Sequence, residues 1–157
     1  MQILAENNSV IEVRNLFKNF DGVEVLKGVS LIADKGSVVA LIGSSGSGKS
    51  TLLRCINLLE NSQSGDILFQ NRIVKWTNGR HQRRPSDKSQ IIEIRTKLAM
   101  VFQQFNLWSH LTVLQNIVEA PVSVLRKSKQ QTENKAKFYL EKVGILDKAN
   151  SFPAFIS

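Results

Sequence analysis

Only one cysteine, Cys55, occurs among the 157 residues. A single thiol closes no intrachain disulfide, so the fold must rest on a packed core, and a cytoplasmic setting is the simplest reading. Apolar runs are short, as in residues 38–42. A spanning helix needs about 20 apolar residues, so no segment of this sequence is expected to cross a membrane. The first ten residues carry Glu6 and neither lysine nor arginine, which does not match a secretory signal. Acidic residues are scarce beside basic ones, 13 against 21, and the excess is uneven. Between residues 71 and 97, Arg72, Lys75, Arg80, Arg83, Arg84, Lys88, Arg95 and Lys97 face only Asp87 and Glu93. Such a cluster suits either a solvated loop or an anionic surface. Trp76 is the one aromatic there, so no stripe of rings is available to stack nucleic-acid bases. Hydrophobic residues at 42 % still allow a packed core in a chain of one-domain size.

Alternation organises the first third. Ile11, Val13 and Asn15 alternate with Glu12 and Arg14, which predicts a half-buried strand. Asp21-Gly22 is a favoured tight-hairpin pair, because both central residues of that turn need positive φ. Residues 23–33 then predict a returning strand, so the start is expected to be antiparallel, at a sheet edge. Residues 38–42 are continuously apolar and β-favouring, as in a strand buried on both faces of a parallel sheet. Leu52, Leu53, Ile56 and Leu59 follow at helical spacing. Residues 66–70 predict a short strand, 71–89 a loop or insertion, 91–95 a short helix, and 98–102 a second buried strand. Beyond Gln103 the pattern is helical. A helix over 112–120 is expected to be interrupted by Pro121. A second, with Ser128 and Gln131 as capping box, places Ala136, Tyr139, Leu140 and Val143 on one face and stops at Gly144.

The chemistry concentrates in Gly43-Ser44-Ser45-Gly46-Ser47-Gly48-Lys49-Ser50-Thr51, which fits the phosphate-loop pattern G-x-x-x-x-G-K-[ST]. Triphosphate oxygens need several donors at close range, and backbone N–H groups supply them where glycines leave room. The following helix N-terminus adds partial positive charge. In this pattern Lys49 reaches the β- and γ-phosphates, the Ser50 hydroxyl holds Mg²⁺, and Thr51 adds a hydrogen bond to the α-phosphate. Chance produces the pattern in well under about 1 % of chains this long.

A phosphate loop alone leaves GTPases, kinases, helicases and transport motors open. Residues 25–31, the run 41–57 around the loop, and 100–113 (Met-Val-Phe-Gln-Gln-Phe-Asn-Leu-Trp-Ser-His-Leu-Thr-Val) together resemble ABC ATPases. The likeness is to the ATP-binding subunits of bacterial importers for polar amino acids, the histidine/arginine permease type. It implies an α/β phosphate-loop (ABC ATPase) core with an antiparallel β flank over residues 1–103. A helical subdomain would begin over 104–157, cut short where the family's signature motif starts. Phe20 falls where the family stacks an aromatic ring on adenine, although a hairpin-tip core ring is the alternative. Gln103 matches the Q-loop glutamine, whose amide binds Mg²⁺ or the attacking water. Residues 105–112 match the surface that receives the permease, while Leu107 and Trp108 also suit a helical core. ATP and Mg²⁺ are the implied cofactors. The implied partners are inner-membrane permease subunits, a second ATP-binding subunit and, indirectly, an amino-acid-binding protein, at the inner face of the plasma membrane. No nucleic acid is expected.

His110 has no metal-binding partner in sight, and Cys55 reads as a small buried apolar residue. The sequence departs from the family by lacking an L-S-G-G-Q signature, an apolar strand ending in Asp-Glu, and a switch histidine. No catalytic residue beyond Gln103 is therefore expected, and turnover by these residues alone is not. Apolar neighbours of the missing strand are expected to lie exposed.

Overall fold

The computed structural model describes residues 9–77, 83–104 and 106–156. The readings that touched Arg80, His81, Phe105 and Ser157 lie outside the described residues. The chain forms two compact units, residues 1–100 and 101–157.

The first unit is built on a hairpin. Strand β1 (Ser9–Phe20) and strand β2 (Val23–Asp34) are antiparallel, with Val13 opposite Leu31 and Phe20 opposite Val23. Asp21 and Gly22 turn the chain at φ 47° and 84°, the positive values that their sequence predicts. Strand β3 (Ser64–Phe69) pairs antiparallel with the other edge of β1, and the two-residue strand β4 (Arg72–Ile73) closes the sheet in the order β2-β1-β3-β4.

Alternation along β1 is broken at Asn15, which stands at φ 47° where the register slips between Val13 and Leu16. Asn15 is therefore exposed rather than inward, and Leu16 takes the next core position at 0 % exposure. Such a bulge bends the strand and re-aims the side chains beyond it. Gly65 lies against it at φ 86°, where any Cβ would run into the Arg14 and Asn15 backbone.

Helix α1 (Lys49–Ile56) buries Leu52, Cys55 and Ile56 in one core with Val13, Leu16 and Leu26. Helix spacing predicted Leu53 and Leu59 in that stripe, yet both are exposed. The helix ends first: Leu58 turns at φ 56° and enters the core in their place. The predicted insertion holds two further short strands, β5 (Trp76–Thr77) and β6 (Arg84–Pro85), paired antiparallel. Helix α2 (Lys88–Lys97) begins at Asp87, whose carboxylate accepts the Gln90 N–H at 3.1 Å, and Ile94 anchors it in the core.

Two expectations fail here. Residues 38–42 and 98–102 are not strands. Val38, Ile42 and Val101 are each at least 94 % exposed. A strand exists by lateral pairing of its N–H and C=O groups, and neither segment has such a partner among the described residues.

The second unit pairs helix α3 (Val113–Ser123) with helix α4 (Lys129–Lys142) around Val113, Leu140 and Ala149. Thr112 and Gln115 form a reciprocal capping box, which sequence reading missed. The predicted box at Ser128 does not form: its side chain makes no capping bond. Pro121 does not stop α3, which continues to Ser123. Pro121 forfeits one amide bond, but the turn beyond it is still closed by Val124 N–H to Ala120 C=O at 2.9 Å. On α4, Ala136 and Leu140 are buried while Tyr139 and Val143 are exposed. Gly144 ends the helix at φ 76°, with its N–H on Glu141 C=O and that of Ile145 on Leu140 C=O, a Schellman closure.

Candidate nucleotide site

The loop at residues 43–48 leads directly into α1, with Gly48 as its N-cap in a left-handed conformation, φ 89°. No side chain caps this end. The leading N–H groups of a helix have no intrahelical acceptor, so those at Lys49, Ser50 and Thr51 are donors for an incoming anion. Gly48 is required twice over. Its φ suits glycine, and a Cβ there would stand 2.9 Å from the Val25 carbonyl oxygen of β2. Gly46 also has positive φ, 78°, in open space. Gly43 passes close to Ser47, whose hydroxyl would be 2.7 Å from an added Cβ.

Lys49 is folded onto the loop. Its Nζ donates to Gly43 C=O at 2.8 Å, Ser44 C=O at 2.6 Å and Ser47 Oγ at 3.1 Å. An ammonium has three protons, and these three acceptors match them. The lysine thus ties the loop into a ring and keeps positive charge at its centre. Ser47 N–H closes the turn on Ser44 C=O at 3.3 Å.

A cavity of about 260 Å³ opens over this loop, lined by Phe20, Val25, residues 46–49, Ser50 and Thr51. Phe20 is thereby brought to the loop from the end of β1, with its ring 41 % exposed. Gly43 and Ser44 contribute through their carbonyls, and Ser45 is exposed outside the lining. Gln103 belongs to the second unit, exposed in an irregular stretch. Cys55, on the far part of α1, is fully buried, and burial pushes its thiol up to about 11.

Sequence reading missed the side chains that hold this site from behind. Lys18 is 1 % exposed and its Nζ lies 4.4 Å from the Phe20 ring centroid. It pairs with Glu60 at 2.6 Å. Gln63 brackets Asn19, accepting its N–H at 2.9 Å and donating to its C=O at 3.1 Å. A lysine in a strand looks solvent-facing in sequence, and only the bulge at Asn15 turns it inward.

Most of the described cations of the basic segment are engaged within the chain, although the net charge of the segment stays positive. Arg72 and Lys97 both pair with Glu93, whose carboxyl their hydrogen bonds hold below its ordinary value. Lys75 pairs with Asp87. Arg83 donates to Ser62 and to Gly65 C=O beneath the Trp76 ring, and burial draws its guanidinium below the usual value. Arg95 donates to Leu58 C=O at 2.7 Å. The solvated-loop reading therefore needs one change: these cations fasten the insertion to the core.

In the second unit, Asn116 organises residues 108–112. It accepts Trp108 N–H at 2.8 Å and donates to the carbonyls of Trp108, Leu111 and Thr112. Leu107 and Trp108 are about half exposed rather than core residues. No helix among the described residues is long and apolar enough to cross a membrane.

A glycine-rich turn that leaves a β flank, wraps a lysine and feeds a helix N-terminus defines a phosphate-loop unit. The ABC transporter family model matches residues 26–155, and the chain belongs to that family. It is 49 % identical over 148 residues to the arginine/ornithine transport ATP-binding protein AotP of Pseudomonas aeruginosa, covering 94 % of this chain and 58 % of that protein. It is 47 % identical to the histidine/lysine/arginine/ornithine transport ATP-binding protein HisP of Escherichia coli, covering 98 % and 60 %. Among solved structures, a dimeric post-hydrolysis state of an ATP-binding cassette bound to ADP and Pi superposes with TM-score 0.76 at 28 % identity, over 94 % of this chain and 63 % of that one. The chain thus spans about three-fifths of the length of the curated relatives it matches.

Proposed function

We propose that this chain is the nucleotide-binding portion of the motor subunit of an importer for polar, chiefly basic, amino acids. The observation that carries the reading is the cavity where the phosphate loop and the Phe20 ring meet. Donors at one end and a π-face at the other are what a purine nucleoside triphosphate needs. The loop amides and Lys49 take the phosphates, Thr51 adds a hydroxyl donor, and Phe20 stacks on the adenine. Ser50 offers the hydroxyl that holds Mg²⁺, a cation that keeps most of its waters and needs few protein ligands. Mg²⁺ supplies charge neutralisation between the phosphates when bound. Gln103 is assigned to the same metal or to the attacking water.

In the whole protein this unit would act with a second ATP-binding subunit on inner-membrane permease subunits. An amino-acid-binding protein would feed the permease, and the motor would sit on the inner face of the plasma membrane. The names of the relatives support this reading, as does the match of residues 100–113 to the segment that faces the permease. Trp76 is the lone aromatic of the basic segment, so no row of rings is offered to bases, which supports leaving nucleic acid out.

A second reading applies to the 157 residues taken alone: they bind nucleotide without turning it over. It is favoured by the absence from this sequence of an Asp-Glu strand, a signature motif and a switch histidine. A water nucleophile then lacks the carboxylate that would polarise it.

Thermal unfolding with and without MgATP tests the binding. At 100 times its dissociation constant, ligand adds about 2.7 kcal/mol to a folded binder. The expected result is an upward shift that Lys49→Ala abolishes, and an unshifted transition would sink the proposal. A phosphate-release assay is expected to give no steady turnover. Turnover that Lys49→Ala removes would overturn the second reading while leaving the first intact.

A further inference from the structure

Burying an ammonium is costly unless it is paired, and a methionine would fill the same space without that cost. Lys18 is nevertheless among the most buried side chains described, at 1 % exposure. Its Nζ has three neighbours: Glu60 Oε1 at 2.6 Å, Asn61 C=O at 2.8 Å and the Phe20 ring, whose centroid is 4.4 Å away. We propose that Lys18 is a positioning residue for the base end of the nucleotide site. Clamped by Glu60 and Asn61, its ammonium holds the Phe20 ring from behind and leaves the opposite face free for the base. The proposal rests on the reading of Phe20 as the adenine platform.

Phe20 stands at a hairpin tip, beside a two-residue turn, where a ring packed on nothing has several rotamers open to it. A cation over one face selects one orientation, through attraction to the ring quadrupole that is strongest when water is excluded. Phe20 lines the cavity and the buried Lys18 does not, so a ligand entering the cavity meets the ring and not the ammonium. Ordering the ring before ligand arrives removes a cost that binding would otherwise carry.

The clamp also sets the distance between the two ends of the site. Residues 60–63 follow α1, and α1 begins in the phosphate loop. Three of these residues grip the end of β1: Lys18 is held by Glu60 and Asn61, Asn19 by the Gln63 amide, and Phe17 C=O by Gln63 N–H at 2.9 Å. The phosphate cradle precedes α1 and the residues that hold the base platform follow it, so both are tied to the same short stretch of chain.

The test compares two probes on the full chain by calorimetry: MgATP, and magnesium tripolyphosphate, which has no base. Lys18→Met keeps the volume and removes the charge. It is expected to weaken MgATP about tenfold while leaving tripolyphosphate within about twofold, inside ordinary error for an untouched phosphate site. In a Phe20→Ala background it should weaken MgATP no further. Glu60→Gln loosens the clamp with the lysine retained and should give the same selective loss, smaller in size; it serves if Lys18→Met does not fold. Equal weakening of both probes would make Lys18 a residue of the core alone and overturn the proposal. So would Phe20→Ala weakening MgATP while neither Lys18→Met nor Glu60→Gln does. If Phe20→Ala itself leaves MgATP unchanged, the base-platform reading fails and this proposal falls with it.

Discussion

Residues 9–20 and residues 38–42 both favour β structure, and the second segment is the more uniformly apolar. The first is a 12-residue strand at the centre of a sheet, and the second is no strand at all, with Val38 and Ile42 turned to water. Propensity does not separate them, since it spans only about 1 kcal/mol. Partners do. β1 gains β2 through a turn of two residues and β3 through the return from α1, so its backbone is paired on both edges. Residues 38–42 gain no partner among the described residues. A hairpin carries its partner in the adjacent sequence, whereas a strand of a parallel sheet waits for one supplied from far along the chain.

The contrast can be broken most severely at Gly65. Gly65→Ala would set a Cβ against the Arg14 and Asn15 backbone at a φ that alanine avoids. A loss of about 3 kcal/mol or more is expected, enough to abolish a cooperative transition in urea; retention of the wild-type midpoint would show that the β1–β3 junction does not need the glycine. The same denaturation experiment sharpens the comparison with a matched pair. Leu16→Ala should cost about 2–5 kcal/mol because it empties a closed core. Val38→Ala should stay within about 0.5 kcal/mol. Comparable losses at both sites would mean that Val38 is packed after all.

Cys55 offers a pH handle on the buried face of α1. Its folded value, about 11, lies above its ordinary 9.0, so the folded state favours the neutral thiol. That contribution is complete below pH 9 and is lost as pH rises towards 11. Stability should fall over that window in the wild type and less in Cys55→Ala, once both curves are scaled to their neutral-pH values. A thiol reagent at pH 8 should react slowly with the native chain and fast in urea. The smallest effects concern two similar caps in the second unit. Thr112→Ala should cost about 1 kcal/mol, since its hydroxyl bonds the Gln115 N–H. Ser128→Ala should cost almost nothing, because no such bond forms there. A circular-dichroism melt of each variant checks the order.

Much of the site was legible in residues alone. The pattern from Gly43 to Thr51 names the chemistry because phosphate demands glycines, a lysine and a hydroxyl in fixed sequence, and those demands are local. The Asp21-Gly22 turn and the alternation around it were legible for the same reason. Legibility ended where one residue's position depended on another's. The slip at Asn15 turned Lys18 inward, early termination of α1 exchanged Leu59 for Leu58, and the Ser128 hydroxyl made no capping bond. The pairing of the basic residues with Asp87, Glu93, Ser62 and Gly65 joins positions up to 21 apart, beyond any local pattern.

Sequence by itself determined the phosphate loop, the hairpin and the order of helices, because each depends on backbone geometry and spacing within a few neighbouring residues. Tertiary structure alone decided which apolar segments become strands, which lysine is buried, and that Phe20 stands at the loop rather than in the core. Those outcomes depend on where distant segments find hydrogen-bond partners and charges find counter-ions, and a linear pattern does not encode the meeting of such partners.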